Sequence, residues 1–370
     1  MKVLIEVGGA SVSGSEQQAR IIAAGLRARG HDVVVACRPG GAVQRMMEAA
    51  QVRTAGARLG GDADVWNGGR FAAWVRAERP DAVLLTSWKR LFAGAAAARA
   101  GGAPRVLFRL GGPQKIPARG ISAWKYRRAF RWLDGVVVNS QGLREVFMAT
   151  NPTFPPRRVR VVHNAARAVR AAHPAALREE IGAAPGDVVL LGVGGLYRHK
   201  RFDLLAEALA RLERRDVHLA VAGSGPLAEP LRAFAASLGV GGRFHLLGPR
   251  KDVPALLAAA DAFVLASRRD SMANAMLEAM AAGLPVVATD VPGSHEALAP
   301  HEGRPAAGWI VPRGDVERMA ETLAEVVDGV RSGAVRARAA EAEWRARHWF
   351  TPERMAAGYD AALAATPPRR

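Results

Sequence analysis

The feature that most limits what this chain can become is a recurring unit: a short apolar run, a glycine-bearing turn, then a helical stretch. It is plain in MKVLIEVGG, in VVLLGVGG and in HLAVAGSG. Runs that are apolar throughout belong to strands covered on both faces, and strands separated by helices pair in parallel. Largely apolar runs at 2–7, 33–36, 82–86, 105–109 and 135–139, then at 188–193, 218–222, 244–248, 263–266 and 286–289, predict strands. Helices are predicted at 15–29, 121–133, 253–260 and 275–282, with terminal helices over 344–364. The expected class is α/β with doubly wound parallel sheets. At 370 residues there is room for two such domains. After His163-Asn164-Ala165-Ala166 the chain turns polar, charged and proline-bearing as far as Asp187, which marks the crossover between them. Solenoid-type repeats and low-complexity tracts are absent from the sequence.

In an open parallel sheet ligands sit beyond the carboxyl ends of the strands, so the turns there carry the function. The most informative turn, 268–274, lies within FVLASRRDSMANAMLEAMAAGLPVVATDVPGSHE, 263–296. It leads into a helix, whose first amides favour an anionic guest. Two acids, Asp270 and Glu278, frame it with seven residues between them. On one continuous helix they would lie ~80° apart, close to one face. Glu278 falls among Met276, Leu277 and Met280, and an unpaired buried carboxylate is costly. A pair of ligand hydroxyls would satisfy it; a core carboxylate tied to backbone amides is the alternative. For Asp270 the alternative is a plain helix N-cap.

This segment resembles the donor-binding signature of the retaining GT-B glycosyltransferases of family 4, the glycosyl transferases group 1. In that signature two acids flank seven residues and run into a Leu-Glu-Ala-Met-Ala helix and a Pro-Val-Val-Ala-Thr strand. LEAMAAGLPVVATDV, 277–291, matches it, with Asp270 in the place of the usual first Glu and Ser271 where a glycine usually follows. The resemblance implies a GT-B fold, two Rossmann-like domains facing across a cleft. It implies an acceptor-binding domain over 1–165, a nucleotide-sugar-binding domain over 166–345, and a C-terminal helix over 346–370 that crosses back to the first. By the same resemblance Glu278 accepts hydrogen bonds from the donor ribose, Asp270 touches the donor sugar, and Lys200, in GGLYRHKRFD, meets the diphosphate. Relatives carry an arginine just after the glycine of that turn; Gly195 stands there, so Arg198 and Arg201 are the candidates to supply the charge. Gly14 and Ser15 match the loop that approaches the diphosphate. Gly223 and the Ser271, Met272, Ala273 and Asn274 turn complete the donor set. Implied too are retention of configuration, deprotonation of the acceptor assisted by the departing phosphate, and no metal or other cofactor. The implied donor is a UDP-, GDP- or ADP-sugar. The acceptor would be a sugar, a lipid-linked glycan or a lipopolysaccharide-type glycan of the cell envelope.

The remaining residues narrow the alternatives. A dinucleotide fingerprint needs Gly-x-Gly-x-x-Gly and an acid after the second strand, whereas Gly8, Gly9 and Gly14 are wrongly spaced and Arg38 follows that strand. A net charge of +18 and a pI near 11.3 favour anionic partners, although an arginine-rich, alanine-rich composition also follows from a GC-rich genome. In the helix expected at 121–133, Tyr126, Ala129, Phe130 and Leu133 share one face; Trp124, Arg128, Arg131 and Trp132 crowd the other. Basic residues with tryptophans suit an anionic membrane surface; a solvated face whose tryptophans cover a neighbouring loop is the alternative. No other aromatic platform or recognition helix speaks for nucleic acid. Relatives often carry a histidine near 109 that contacts sugar; Arg109 stands there as a candidate acceptor contact or as part of a structural ion pair. Cys37 alone excludes a disulfide framework and cysteine metal sites. MKVLIEVGG reads as a first strand rather than a leader, and no uncharged run is long enough to span a bilayer, so a cytoplasmic protein is expected, peripheral on the inner membrane face if the 124–132 face meets lipid. Two rival classes remain: a sugar-nucleotide epimerase of the same fold, exposed by product formation without acceptor, and a non-enzymatic basic anion-binding protein, exposed by salt-sensitive duplex binding without nucleotide-sugar affinity.

Overall fold

A computed structural model describes residues 1–9, 11–56, 59, 65–114, 120–167 and 176–369. Of the crossover expected over 167–187, residues 168–175 lie outside the described residues. The chain divides into two compact units, Met1–Ala165 with Pro352–Arg370, and Ala166–Thr351. Residues 345 and 346 fall inside one helix of the second unit.

The first unit alternates β1 (Lys2–Glu6), α1 (Gly14–Ala28), β2 (Asp32–Ala36), α2 (Ala42–Ala49), β3 (Arg53–Ala55), α3 (Val65–Glu78), β4 (Ala82–Leu85), α4 (Leu91–Ala100), β5 (Val106–Leu110), α5 (Gly120–Trp132), β6 (Gly135–Val138), α6 (Gln141–Thr150) and β7 (Val159–Val161). All strands pair in parallel, in the order β3-β2-β1-β4-β5-β6-β7. VLIE, VVVA and AVLL are buried on both faces because each face has its own helical cover. Phe71, Phe130 and Phe147 build one core from α3, α5 and α6; Ile22 and Met47 build the other from α1 and α2. α1 starts at a capping box: Ser13 caps its first turn while the Glu16 side chain returns to the Ser13 amide. Such a cap stabilises a helix by about 1 kcal/mol.

The second unit repeats the theme with β8 (Val188–Val193) to β13 (Trp309–Val311), preceded by the short α7 (Leu177–Glu180). Between them run α8 (Phe202–Arg211), β9 (Val217–Ala222), α9 (Ala228–Ser237), β10 (Phe244–Gly248), α10 (Val253–Ala259), β11 (Ala262–Leu265), α11 (Asn274–Ala281), β12 (Val286–Thr289) and α12 (Pro292–Leu298). The sheet order is β10-β9-β8-β11-β12-β13, again all parallel. After β13 come α13 (Val316–Ser332) and α14 (Arg336–His348). The final helix, α15 (Pro352–Ala364), belongs to the first unit, where Met355, Tyr359 and Leu363 join the α1 side of its core.

The anticipated strands and the helices expected at 15–29, 121–133, 253–260 and 275–282 are present with ends displaced by a residue or two, whereas the first of the terminal helices expected over 344–364 begins at Arg336. β3, β7 and β13, the short edge strands, and the helices α2 to α4, α6 to α9, α12 and α13 lay outside the expected ranges.

Candidate functional site

Strand order reverses in each sheet at one place, between β1 and β4 in the first unit and between β8 and β11 in the second. Loops diverge there and leave a crevice, the place where doubly wound sheets hold ligands. In the second unit those loops are the two that the sequence singled out.

The loop after β8 ends in a tight turn, Arg198–Lys200, and Arg201 enters α8 with a left-handed φ of +52°. The loop after β11 is stitched to it by the Arg268 amide, which donates to the His199 carbonyl at 2.7 Å. That stitch brings Lys200 Nζ to 2.7 Å from Asp270 Oδ2. The two side chains keep 17% and 21% exposure, so the pair lies open to a ligand rather than sealed in the core. Arg198, Arg268 and Arg269 are exposed beside it, and the ensemble is strongly cationic with a single acid. His199 registers this field: burial first, then Lys200, hold its imidazole below the usual range, opposed by Asp270.

Two glycines make the loops fit. At Gly223 a Cβ would stand 1.8 Å from the Gly194 carbonyl oxygen, and φ is +157°. At Gly293, in the first turn of α12, a Cβ would stand 1.8 Å from the Ser271 carbonyl oxygen. Neither distance is possible for a side chain, so the turn after β9 and the start of α12 press directly on the backbone of the ligand-side turns. Thr289 adds a hydrogen bond to the Ser267 carbonyl at 2.7 Å.

Ser271, Met272 and Ala273 are buried below Asp270 and lead into α11. The helix N-cap is Ala273, with no side-chain cap. Asp270 therefore stands outside the helix, and its alternative reading as an N-cap is corrected. Glu278 lies mid-helix and 7% exposed, with Met276, Leu277 and Met280 fully buried around it. It is not awaiting a partner: Arg167 Nε donates to Oε1 at 2.6 Å. That corrects both the unpaired carboxylate and its backbone-tied alternative.

The other candidates divide. Arg201 is turned to Asp203, with Nε at 2.9 and 3.1 Å from its oxygens, so Arg198, exposed and without an ion-pair partner among the described residues, is the better second cation. Gly14 and Ser15 form the exposed first turn of α1 in the first unit. Arg109 is 3% exposed, reaches Asn164 Oδ1 at 2.9 Å and hydrogen-bonds Tyr359; this internal network replaces the anticipated acceptor contact or ion pair. Burial pushes the Tyr359 hydroxyl up to about 12 although Arg109 draws it down.

On α5 the expected buried face is buried, with Tyr126 half-buried and stacked on Trp88 at 4.5 Å. The opposite face differs. Trp124 and Trp132 both lean on Phe92 of α4, at 5.9 and 5.3 Å, and Arg128 lies over Trp132 at 5.5 Å. The tryptophans thus cover a helix rather than a loop. Large apolar groups are left exposed at Ile121, 85%, Trp124, 58%, and Trp66 on α3, 77%.

Three residues escaped sequence reasoning. Arg167 lies 111 positions from Glu278 in a stretch read as linker. His199 was only a loop residue in GGLYRHKRFD. Glu6, at the first unit's strand-order reversal, accepts from the Thr86 and Ser87 amides at 3.4 and 3.3 Å and faces Arg90 at 3.7 Å. Burial lifts its carboxyl above the usual range, with Arg90 opposing. Among the described residues no cluster of three or more His, Cys, Asp or Glu could hold a metal, and no helix is long and apolar enough to cross a membrane.

The architecture is GT-B. Superposition on the structure of Anabaena Alr3699/HepE in complex with UDP and glucose gives a TM-score of 0.84 at 21% identity, covering 99% of this chain and 100% of that one. The lipopolysaccharide outer core galactosyltransferase WaaB, in its apo form, gives 0.70 at 18% identity over 99% of both chains. In sequence, residues 187–328 match the family described as Glycosyl transferases group 1, and residues 13–165 the Glycosyl transferase 4-like domain. The chain belongs to the group 1, family 4 glycosyltransferases. Among curated relatives, the lipopolysaccharide core biosynthesis glycosyltransferase LpsE of Rhizobium meliloti (strain 1021) is 31% identical, over 54% of this chain and 55% of that protein. A D-inositol 3-phosphate glycosyltransferase of Nocardia farcinica (strain IFM 10152) is 33% identical, over 51% and 44%. The chain spans about half the length of the curated relatives it matches.

Proposed function

We propose that this protein transfers a sugar from a nucleoside diphosphate sugar to a saccharide acceptor of the cell envelope, with retention of anomeric configuration. The observation that carries the reading is the Lys200 and Asp270 pair, partly open to solvent at the strand-order reversal and set beside arginines that have no ion-pair partner among the described residues. HepE is described with UDP, glucose and UDP-glucose, which supports a UDP-sugar as the first donor to test. The name of LpsE supports a lipopolysaccharide-type acceptor.

The chemistry follows from charge. As the bond between the sugar C1 and the phosphate oxygen breaks, negative charge grows on the diphosphate and positive charge on the ring. Lys200 and Arg198 meet the first; Asp270, released from Lys200 by the incoming diphosphate, meets the second. Glu278, oriented by Arg167, takes the ribose hydroxyls. The acceptor oxygen bonds C1 on the face that the phosphate leaves, and its proton passes to the departing phosphate oxygen.

Thermal shift against UDP-, GDP- and ADP-sugars, followed by proton NMR of the product formed with acceptor, tests the proposal. A donor that raises the melting temperature and yields a retained glycoside is expected. Conversion of the donor to an isomeric sugar nucleotide without acceptor would instead select the epimerase. Arg167→Ala is expected to raise the donor KM roughly tenfold with a smaller change in kcat, because it removes one charge-assisted contact that orients Glu278. An unchanged KM would remove Arg167 from the site.

The exposed Ile121 and Trp124 carry the peripheral-membrane reading, with Lys125, Arg127 and Arg128 nearby on the same helix. Exchanging both for serine should cut co-sedimentation with anionic vesicles several-fold, since each apolar group contributes about 1.5–3 kcal/mol on burial. Undiminished co-sedimentation would leave lipid contact to another surface.

A further inference from the structure

The first unit contains a cavity of about 170 Å³ at the end of its sheet where the strands begin, away from the loops at the β1 and β4 reversal. Its floor is Leu107, Val136 and Val137, and its rim carries Arg157, Arg158 and Arg160. One wall is the segment after α15, residues 365–367. That wall is tied down: Arg105 Nε donates to the Thr366 carbonyl at 2.7 Å, and the Arg369 amide to the Pro104 carbonyl at 2.8 Å.

The charges in this place are unbalanced. Among the described residues none of the three rim guanidinium groups has an ion-pair or hydrogen-bond partner, although they stand within four positions of one another. Asp134 is the acid in the wall, and it is already spent on Arg99, on Arg369 and on the Val106 amide. Two guanidinium groups thus neutralise one carboxylate, and three more are left over. Like charges gathered without an acid repel, and a bound anion is what relieves them. The volume is about tenfold the ~10–15 Å³ that one water needs.

We infer that this cavity is a second anion site, independent of the donor site, and that it takes a phosphate ester. Guanidinium groups match the paired oxygens of phosphate, and a tetrahedral dianion can meet three of them where a carboxylate offers two oxygens. The phosphate of a phosphorylated saccharide and that of an anionic lipid headgroup present the same group.

The test uses the full chain and isothermal titration with glycerol 3-phosphate at low and high salt. Arg157→Gln with Arg158→Gln and Arg160→Gln should weaken binding about tenfold or more, while Lys200→Ala, in the donor site, should leave it intact. The opposite pattern, or equal binding by the triple variant and the unaltered protein, overturns the site. Arg157→Gln alone, an exposed position, gives the same reading in part should the triple variant fail to fold. Vesicles of phosphatidylglycerol, against phosphatidylcholine as control, separate the sources. Binding to phosphatidylglycerol vesicles that the triple variant loses assigns a lipid headgroup; binding of glycerol 3-phosphate with none to the vesicles assigns a soluble ester.

Discussion

Lys200→Ala should lower the rate of sugar transfer at saturating donor by roughly 10²–10³-fold, the usual cost of losing one preorganised group at a site of developing charge. The melting temperature should hardly move. The ion pair with Asp270 is partly solvated, and such pairs contribute about 0–1 kcal/mol to stability. Glu278→Ala should also abolish useful transfer, by another route. It removes the carboxylate proposed for the ribose, and with charge-assisted bonds of about 1.5–3 kcal/mol each the loss belongs mainly in KM. Steady-state kinetics separate the two variants: a fall in kcat at 200, a rise in KM at 278. Full activity in either would refute its assigned role.

Arg345→Met is expected to destabilise the second unit by about 3–5 kcal/mol, the range for breaking a buried ionic network. Arg345 has no exposure at all. Its Nε meets Glu341 at 2.8 Å, and its two Nη groups serve the carbonyls of Ala297 at 3.0 Å, Ala299 at 2.7 Å and Pro305 at 2.5 Å. Methionine fills part of the volume and donates nothing, so the carbonyls of Pro305, buried Ala297 and half-buried Ala299 lose their donor. Glu341 keeps Arg304, at 2.8 and 2.7 Å, which limits the damage. At roughly 2–4 °C per kcal/mol for a unit of this size, the drop in melting temperature should be on the order of 10 °C. A shift within a degree would mean that water replaces the guanidinium. Acid should act on the same network. The Arg304 hydrogen bond, then Arg345, hold the Glu341 carboxyl below the ordinary glutamate range. Its contribution is thus present above the unfolded value of ~4.3 and is lost as pH falls through the folded one.

The fold was legible because strands covered on both faces must be apolar throughout, and VVVA, AVLL and VVLL are unmistakable between glycine turns. β3 and β13 were not, because RTA and WIV are too short to show a pattern and gain their place only by pairing at a sheet edge. The pairing at the candidate site was legible where chemistry is local: Lys200 and Asp270 each sit in a polar turn after an apolar run. Arg167 was not, since only the fold joins it to Glu278. A helical plot of α5 named its buried face but could not see Phe92 on α4, which takes up the tryptophans opposite. Arg109 shows the same limit: a charged residue in a strand looks available until Asn164 and Tyr359 are found around it.

The membership of α15 in the first unit bears on how the molecule is made. A ribosome releases β1 to β7 early, yet Met355, Tyr359 and Leu363 are made only after the whole of 166–351 has been translated. Domains ordinarily mature in the order of translation. Here the later segment, 166–351, is contiguous and can close first, while the earlier one waits with Ile22 and Leu26 unsheltered for a helix translated after that segment.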